Sequence, residues 1–295
     1  MSKNNEVLIS VIVPFYNRDN HLRNCIQSIE ENISNNYEII IVDDGSDEIF
    51  SHNAKNLLKK NILYFKFIKN LERGHARNYG AFKAKGKYVN FFDSDDICKS
   101  NHINESIKFI NKNNPDIFCN SYEISGKNYK KKIFHNDLLN NKIFEGNSIS
   151  CNSVFIKKEI FLKYKFSENK NLSGSEDWDL WLRLANKYNF YGNKIITSTI
   201  VDHSDRSMRN QKISKIINRL NILEKRINNK NIFDFDNYTR NIVISEILSF
   251  KSLSYSSEKK YKLFSLYYLF KSIIFNTKKI FLKRNLVILR NIFSY

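Results

Sequence analysis

Three carboxylates, Asp93, Asp95 and Asp96, lie within four consecutive positions directly after the apolar run YVNFF at 88–92. Like charges this close repel each other, and the cluster costs stability unless a cation shares the site. Carboxylate oxygens are preferred ligands of hard divalent cations such as Mg²⁺. The segment therefore predicts a divalent metal site, and the alternative is a solvated acidic turn that caps the following helix.

Polar side chains follow two other apolar runs in the same way. Asp43 and Asp44 come directly after YEIIIV, and a Pro-aromatic-Asn turn at 14–17 ends the run LISVIVPFYN. The acidic pair alone could form an ordinary turn with the glycine and serine that follow it. Repetition of the pattern after several apolar runs favours a shared site instead.

The elements that must position these residues alternate between strand and helix. Continuous apolar strands separated by helical patterns predict a parallel α/β sheet, in which ligands bind beyond the carboxyl ends of the strands. All three polar groups are therefore expected on one rim. The predicted strands cover 8–17, 37–46, 62–68 and 88–92, and the predicted helices cover 18–33, about 51–60 and 74–85.

The charge distribution divides the rest of the chain. Residues 1–205 carry a net charge of +4, whereas residues 206–295 carry +14. The segment 101–205 mixes strand and helix patterns, and the pattern from about 210 onward is helical, basic and aromatic. We expect a catalytic domain over 1–209, divided into 1–110 and 111–209, followed by a basic helical region over 210–295.

Five motifs in this order resemble the inverting GT-A glycosyltransferases of family 2. They are SVIVPFYNR, IIIVDDGS, NLERGHARNYG, FFDSDD and SEDWDLWLR, and the resemblance covers roughly residues 8–205. It implies a Rossmann-like fold with a mostly parallel central sheet flanked by helices. It also implies a nucleotide-sugar donor, usually a UDP-sugar, and a divalent cation, Mn²⁺ or Mg²⁺. The first half, 1–110, would bind the nucleotide sugar, and 111–209 would form the acceptor side.

The resemblance gives the acidic segment a role in holding the donor diphosphate. Asp95 would be the principal metal ligand, and Asp93 with Ser94 would bind the donor, Asp93 contacting the ribose or assisting the metal. Asp96 would support the loop. His203 in VDHSDRSMR matches a region that closes over the diphosphate, so it is a candidate metal ligand, although a lone histidine is often structural.

The resemblance places the nucleotide base near the other two polar groups. Asp44 would recognise the uracil ring, and Pro14, Tyr16 and Asn17 would shape the same pocket. Arg206 or Arg209 could hold phosphate.

Asn70 and Arg77 match the N…ARN segment of the family and would bind the nucleotide sugar. Arg77 could contact the diphosphate or hold the acidic loop, and a structural salt bridge is the alternative. One departure is visible, because the family usually has glycine two positions after this asparagine and Glu72 stands there. The departure puts the local loop conformation in question.

SEDWDLW at 175–181 supplies the expected general base. An acceptor hydroxyl is a weak nucleophile and needs a base within hydrogen-bond reach. By resemblance that base is Asp177, with Glu176 beside it. One of Trp178 and Trp181 could stack on a sugar, or both could be core residues, and Asp179 is expected at the surface.

The C-terminal segment 251–295 combines ten Lys and Arg residues and one Glu with apolar residues at helical spacing. A basic amphipathic helix with aromatics is typical of a helix that lies on an anionic membrane. The alternative is a helix packed on the catalytic domain. No nucleic-acid-binding motif is present, so nucleic acid is not expected as a partner.

Sequence features also bear on localisation. We see no secretory signal and no apolar run of membrane-spanning length. The scattered cysteines Cys25, Cys98, Cys119 and Cys151 are expected to be reduced thiols. The prediction is a cytoplasmic enzyme, peripheral on the inner face of the cell membrane.

The predicted function is inverting transfer of a monosaccharide to a glycan acceptor in surface polysaccharide, lipopolysaccharide or lipid-linked oligosaccharide synthesis. Two alternatives remain open at this point. The segment YVNFFDSDDI also fits the strand-then-DxD pattern of phosphatases with an aspartyl nucleophile, and the basic C-terminal region would suit a non-enzymatic basic binding protein.

Overall fold

The structure is a computed structural model, and it describes residues 6–34, 36–204, 206, 211–278 and 282–293. Its chain forms two compact units. The first consists of residues 1–140, 149–170 and 187–205, and the second of 141–148, 171–186 and 206–295.

The first unit is built on one sheet whose first half is parallel. Strand β1 (Ile9–Phe15) pairs with β2 (Tyr37–Asp43) and with β4 (Tyr88–Phe91), and β2 pairs with β3 (Ile62–Lys66), all in parallel. Every residue of β1, β2 and β4 is buried. Their Val- and Ile-rich sequences therefore read as continuous apolar runs, because helices cover both faces of a parallel sheet.

The second half of the sheet is mostly antiparallel. Strand β8 (Val154–Lys157) pairs antiparallel with β4 and with β6 (Ile117–Gly126), and β6 pairs parallel with β9 (Phe190–Val201). The short strand β5 (Ile97–Cys98) closes one end against β9, and β7 (Tyr129–Ile133) forms a hairpin with β6. The strand order is β3-β2-β1-β4-β8-β6-β9-β5, with β7 beside β6.

Helices fill the connections of this sheet. Leu22, Ile26 and Ile29 lie on one buried face of the helix that follows β1, at the spacing expected for a helix that packs on a sheet. The helix predicted near 51–60 begins earlier and ends at Lys55. The helices wholly within this unit are α1 (Asp19–Glu30), α2 (Glu48–Lys55), α3 (Arg73–Lys83), α4 (His102–Asn113) and α6 (Lys158–Tyr164), and α5 (Asn140–Phe144) links it to the second unit.

The second unit is helical among its described residues. Helix α9 (Asn237–Ser256) is its central element: it packs against α8 (Ile213–Ile227), α10 (Lys262–Phe275) and α11 (Lys283–Phe293). The buried amine of Lys251 in α9 is paired with Glu224 of α8. The unit also includes α7 (Glu176–Ala185), whose Trp178 meets Phe250 of α9 edge to face.

The last two helices share a small apolar core with α9. Leu269, Ile288 and Ile292 form this core, and partly buried leucine and isoleucine side chains pack around it. Arg284 reinforces the contact, because its guanidinium lies 2.6 Å from Glu246 and stacks on the ring of Phe250. One side of the basic C-terminal segment is therefore packed on α9. None of the described helices is both long and apolar enough to cross a membrane.

Candidate active site

The acidic loop lies at the carboxyl end of β4, where the sheet topology places a ligand. One carboxylate oxygen from each of Asp93, Asp95 and Asp96 lies within 4.8 Å of the others. Asp93, Ser94 and Asp95 are partly exposed, whereas Asp96 is buried. The cluster predicted from the sequence is thus real in space and presents two of its three acids outward.

Asp96 shapes the loop from within. Its carboxylate accepts hydrogen bonds from Asn152 Nδ2 at 2.7 Å and from the backbone N–H of Val201 at 2.9 Å. Asn152 also uses its Oδ1 to accept the backbone N–H of Asp93 at 2.8 Å. The buried Asn152 therefore forms hydrogen bonds with both Asp93 and Asp96, at the two ends of the acidic segment. Asp96 has the supporting position that the family resemblance implies.

Asp93 has a fixed cationic partner. Arg77 of α3 is buried and lies 2.6 Å from Asp93 Oδ1. The guanidinium also stacks on the ring of Phe166, 5.2 Å from its centroid. Of the roles considered for Arg77, the geometry favours holding the acidic loop.

Asp95 is contacted by a histidine and by a partly exposed arginine. Its Oδ2 lies 3.2 Å from His203 Nε2 and 3.4 Å from Arg18 Nη1. The ring of His203 is stacked on that of His21, with 4.8 Å between centroids. His21 went unnoticed in the sequence, because nothing in its spacing shows that α1 brings it beside residue 203.

This donor set suits the divalent cation that the family resemblance implies. Carboxylate oxygens of Asp93 and Asp95 are hard ligands, and an imidazole nitrogen beside them is a ligand that Mn²⁺ accepts readily. His203 Nε2 and Asp95 Oδ2 are close enough to bind the same ion. The residues present therefore fit Mn²⁺ or Mg²⁺, with Asp95 and His203 as the candidate ligands.

The two acids after β2 have different environments. Asp43 is buried and accepts hydrogen bonds from the backbone N–H of Ser46 at 2.8 Å and from the hydroxyls of Ser51 and Tyr64 at 2.6 Å each. Its carboxylate therefore organises the loop. Asp44 Oδ1 accepts the backbone N–H of Leu71 at 2.8 Å.

Burial raises the pKa of the Asp44 carboxyl above its ordinary value, and backbone N–H donors from Leu71 and Glu72 act in the opposite direction. A desolvated carboxylate of this kind gains from an additional N–H donor. A nucleobase could supply that donor, so the position of Asp44 is compatible with base recognition.

The turn after β1 is tied to the turn after β2. Asn17, at a positive φ of 50°, exchanges side-chain hydrogen bonds with Asp47, and its backbone N–H donates to Ser46 Oγ at 3.0 Å. Pro14 is buried within β1, and Tyr16 is exposed. The predicted base-pocket residues thus come from neighbouring strand ends, and the aromatic ring of Tyr16 is accessible.

Gly45 allows the segment around Lys69 and Asn70 to lie close to the turn after β2. A Cβ on Gly45 would lie 2.4 Å from the carbonyl carbon of Lys69, and its φ is +79°. The loop that carries Asn70 therefore lies against the glycine backbone. Asn70 Oδ1 accepts the backbone N–H of Glu72 at 3.2 Å, and its carbonyl accepts Lys170 Nζ at 3.1 Å.

Glu72 keeps the loop conformation that a glycine would favour. Its φ is 78° and its ψ is 156°, a combination that residues with a Cβ rarely adopt. The backbone N–H and carbonyl of Glu72 still serve the loop and the first turn of α3. The departure from the family pattern therefore leaves the loop in place, at a cost in backbone strain.

The predicted base lies at the start of α7 in the second unit. Asp177 is partly exposed in the first turn, and its Oδ2 accepts Asn147 Nδ2 at 3.1 Å. Glu176 is buried, and its Oε2 accepts the backbone N–H of Gly174. The two neighbouring acids thus differ in access, and Asp177 is the more exposed of the two.

The structure favours one of the two alternatives for the tryptophans of α7 and corrects the expectation for Asp179. Trp178 and Trp181 are both buried, and Trp178 Nε1 donates to the carbonyl of Ile143 at 2.9 Å, so neither ring presents a face for a sugar. Asp179 was expected at the surface and that expectation was wrong. It is fully buried and paired with Arg183 at 3.0 Å and Arg226 at 2.7 Å.

Among the phosphate candidates downstream of His203, the structure describes Arg206, which is partly exposed, and Arg209 lies outside the described residues. His102 and Asn90 form a further polar pair beneath the acidic loop, 3.2 Å apart. Burial lowers the pKa of His102 to about 3, so it is neutral in this network. Asn152, Asn90 and His21 carried no sequence signal of their own.

The family model for Glycosyl transferase family 2 matches residues 10–167. The chain belongs to this family. The matched span contains the acidic loop, the base-pocket turns and Arg77, and α7 with Asp177 lies beyond it.

Curated relatives are described as glycosyltransferases. An uncharacterised glycosyltransferase of Rickettsia conorii is 30% identical over 262 residues, which cover 86% of this chain and 42% of the relative. The chain therefore spans about two fifths of that relative's length. An uncharacterised glycosyltransferase of Haemophilus influenzae is 27% identical over 315 residues, covering 96% of this chain and 95% of the relative.

Solved structures confirm the GT-A fold expected for a family 2 glycosyltransferase. Staphylococcus aureus TarS 1–349 in complex with UDP-GlcNAc superimposes with a TM-score of 0.66 at 16% identity, covering 91% of this chain and 89% of TarS. The mannosyltransferase PcManGT of Pyrobaculum calidifontis, in complex with GDP-Man and Mn²⁺, gives a TM-score of 0.57 at 13% identity, covering 92% and 87%.

The strained backbone of Glu72 generates the first prediction. Glu72→Gly should raise the free energy of unfolding by about 1 kcal/mol, because relief of about 1–3 kcal/mol of strain outweighs the extra chain entropy of glycine. Urea denaturation measures the change. Asn114→Gly is the matched control: Asn114 has a φ of 42° and ψ of 48°, which asparagine tolerates, so little gain is expected. A loss of stability in Glu72→Gly would show that the Glu72 side chain, and not its backbone, dominates there.

Proposed function

We propose that this chain is an inverting, metal-dependent glycosyltransferase that moves a monosaccharide from a nucleotide sugar to a glycan acceptor. The observation that carries the proposal is the acidic cluster of Asp93, Asp95 and Asp96, whose oxygens lie within 4.8 Å at the carboxyl end of a parallel strand. Family membership supports the reaction class. It also argues against the phosphatase and the non-enzymatic binding protein, since neither explains the base-pocket turns or the acid at the start of α7.

In the proposed mechanism Asp95 and His203 hold a divalent cation, and Asp93 stands beside them with Arg77 fixing its position. When bound, the cation neutralises the charge that develops on the diphosphate as the glycosidic bond breaks. The Mn²⁺ in the PcManGT complex supports this assignment for a protein of the same fold.

The donor proposed is a UDP-sugar. Asp44 would accept the N3–H of uracil on its desolvated carboxylate, and Tyr16 and Asn17 would line the pocket beside it. The UDP-GlcNAc complex of TarS supports a uridine donor, and the GDP-Man complex of PcManGT shows that the fold also serves guanine nucleotides. Asn70 and Ser94 complete the proposed donor contacts.

The bond changes define the role of the base. The acceptor oxygen forms a bond to the anomeric carbon on the face opposite the diphosphate, the bond from that carbon to the phosphate oxygen breaks, and the proton of the hydroxyl passes to Asp177. Attack from the opposite face inverts the configuration. Glu176 is buried against the backbone of Gly174 and would position Asp177.

The acceptor proposed is a glycan of a surface polysaccharide, a lipopolysaccharide or a lipid-linked oligosaccharide. Its support is an apolar and basic surface on the last two helices. In α10, Leu263, Tyr267, Phe270 and Ile274 are each more than half exposed, and their spacing puts them on one face. In α11, Leu286, Leu289 and Phe293 form a second exposed row.

We name these seven side chains the exposed apolar face, and we propose an anionic membrane as its occupant. The opposite side of both helices is already packed on α9, so the exposed face is not needed for the core. Exposed cations flank it, among them Lys260, Lys271 and Lys283, and Glu258 is the one acid of the segment 251–295. Apolar side chains that enter the interface beside lysines are typical of peripheral membrane helices. The enzyme is thereby proposed to work on the cytoplasmic side of the membrane.

Metal dependence is tested by Asp95→Asn. Loss of a residue that only hydrogen-bonds to a metal ligand weakens metal binding by about 10–100-fold. Loss of the charge of a ligand itself should therefore weaken Mn²⁺ binding by more than about 100-fold and abolish transfer. Titration of Mn²⁺ monitored by electron paramagnetic resonance measures binding, and release of UDP measures turnover. Glu105→Gln in α4 is the charge-matched control and should behave as wild type. Full activity of Asp95→Asn in chelator would contradict the metal assignment.

The base assignment is tested by Asp177→Asn. Turnover should fall by roughly 10²–10⁴-fold, the usual contribution of a general base. Affinity for UDP with Mn²⁺ should be unchanged, because Asp177 acts on the acceptor. Asp234→Asn is the control, an exposed acid of the same unit. Normal turnover of Asp177→Asn would assign the proton transfer to another group.

Membrane docking is tested by Phe270→Ser combined with Ile274→Ser. Full burial of such a side chain is worth about 1.5–3 kcal/mol, so even partial loss of two should weaken binding to anionic vesicles by at least about tenfold. Co-sedimentation at low salt measures binding, with neutral vesicles for comparison. Ile33→Ser combined with Ile68→Ser is the control, because both isoleucines are exposed on the first unit.

Point substitutions are preferable to truncation near residue 250, because α9 continues to Ser256 and carries buried Lys251 and Ser252. Equal binding to anionic and neutral vesicles, or no binding of the wild-type chain at low salt, would contradict the membrane proposal. Equal loss of binding in the control pair would show that any exposed isoleucine serves.

A further inference from the structure

Arg18 contacts the same carboxylate oxygen of Asp95 that we propose as a metal ligand. Arg18 Nη1 lies 3.4 Å from Asp95 Oδ2, and His203 Nε2 lies 3.2 Å from that same oxygen. A carboxylate oxygen that ligates a cation offers its electron pairs to the cation. A guanidinium on that oxygen therefore competes with a metal both for the lone pairs and by direct charge repulsion.

The two arginines of the acidic loop differ in how firmly they are held. The side chain of Arg77 is 2% exposed and approaches Asp93 to 2.6 Å, whereas the side chain of Arg18 is 33% exposed and its contact to Asp95 is longer. Arg18 also stands at the N-terminal boundary of α1 without capping the helix through its side chain. Arg77 is thus buried beside Asp93, whereas a third of the Arg18 side chain faces solvent and its contact to Asp95 is the longer of the two.

We propose that Arg18 is an exchangeable counter-ion of Asp95. Its side chain would release that carboxylate when the divalent cation binds and would then pair with the diphosphate of the donor. The inference rests on the metal site of the proposed function. Three acids within 4.8 Å need positive charge nearby at every stage. Arg18 supplies it to Asp95 before the metal binds, and a guanidinium is well suited to pair with phosphate oxygens afterwards.

The exchange has two opposite consequences for affinity. Without nucleotide, Arg18 lowers the affinity of the site for the metal, because the cation must displace it. With metal bound, Arg18 raises the affinity for the diphosphate. A residue that served only to stabilise the folded loop would move both affinities in the same direction.

The test compares Arg18→Gln with Arg23→Gln. Both remove one positive charge from α1, and Arg23 is exposed further along the helix. We expect Arg18→Gln to bind Mn²⁺ about two- to fivefold more tightly than wild type without nucleotide, the upper range of a partly exposed ion pair. At saturating Mn²⁺ it should bind UDP more weakly by a similar factor. Arg23→Gln should match wild type in both measurements, and Arg18→Lys should fall between.

Electron paramagnetic resonance of free Mn²⁺ gives the first affinity and calorimetry with UDP the second. Thermal melting confirms that each variant is folded. If Arg18→Gln binds Mn²⁺ no more tightly than Arg23→Gln, the counter-ion role is wrong. If it binds Mn²⁺ more tightly but UDP with unchanged affinity, the transfer to the diphosphate is wrong. If the wild-type chain binds no Mn²⁺, the metal site of the proposed function fails, and this inference fails with it.

Discussion

Mutual repulsion among Asp93, Asp95 and Asp96 is the constraint around which the first unit is organised. Each acid has its own set of contacts: Asp93 is paired with the buried guanidinium of Arg77, Asp96 accepts N–H donors, and Asp95 lies at longer range from Arg18 and His203. Because Asn152 and the backbone of Val201 both donate to the buried carboxylate of Asp96, this residue anchors the loop from within. Asp93 and Asp95 remain partly exposed, and in the proposed function a divalent cation would offset their charge.

A buried carboxylate is also paired with charged side chains in the second unit. Asp179 is fully buried between Arg183 and Arg226, and it joins α7 to α8. Removing one partner of such a buried pair typically costs about 3–5 kcal/mol, so the pairing fixes the helix that carries Asp177. Arg219 of α8 adds to this by donating to the carbonyl of Ser173 at 3.2 Å, three residues before α7 begins at Glu176. The basic C-terminal region therefore supports the helix that carries the candidate base.

Local pattern was enough to predict the parallel strands and the acidic rim. Fully buried strands such as β1 and β2 read as unbroken apolar runs, and the acids directly after them must fall at the same edge. Long-range partners were beyond local pattern. Asn152 reaches the acidic loop from 59 residues away, and Arg18 reaches Asp95 from 77 residues away.

The errors have the same physical origin. Asp179 was assigned to the surface because an isolated acid in a helix is usually solvated, and the arginine that makes its burial possible lies 47 residues further along. For Glu72 the sequence showed a departure from the family pattern, and only the backbone dihedrals show that the loop keeps its conformation.

The proposed function requires that the acidic cluster of Asp93, Asp95 and Asp96 binds a nucleotide diphosphate through a divalent cation. Calorimetric titration with UDP and with uridine, each with Mn²⁺ and with chelator, tests it most directly. Chelator should weaken UDP binding by at least about tenfold and leave uridine binding unchanged, because the proposed metal ligands Asp95 and His203 would contact the diphosphate and not the base. Equal affinity for UDP with Mn²⁺ and with chelator would contradict it.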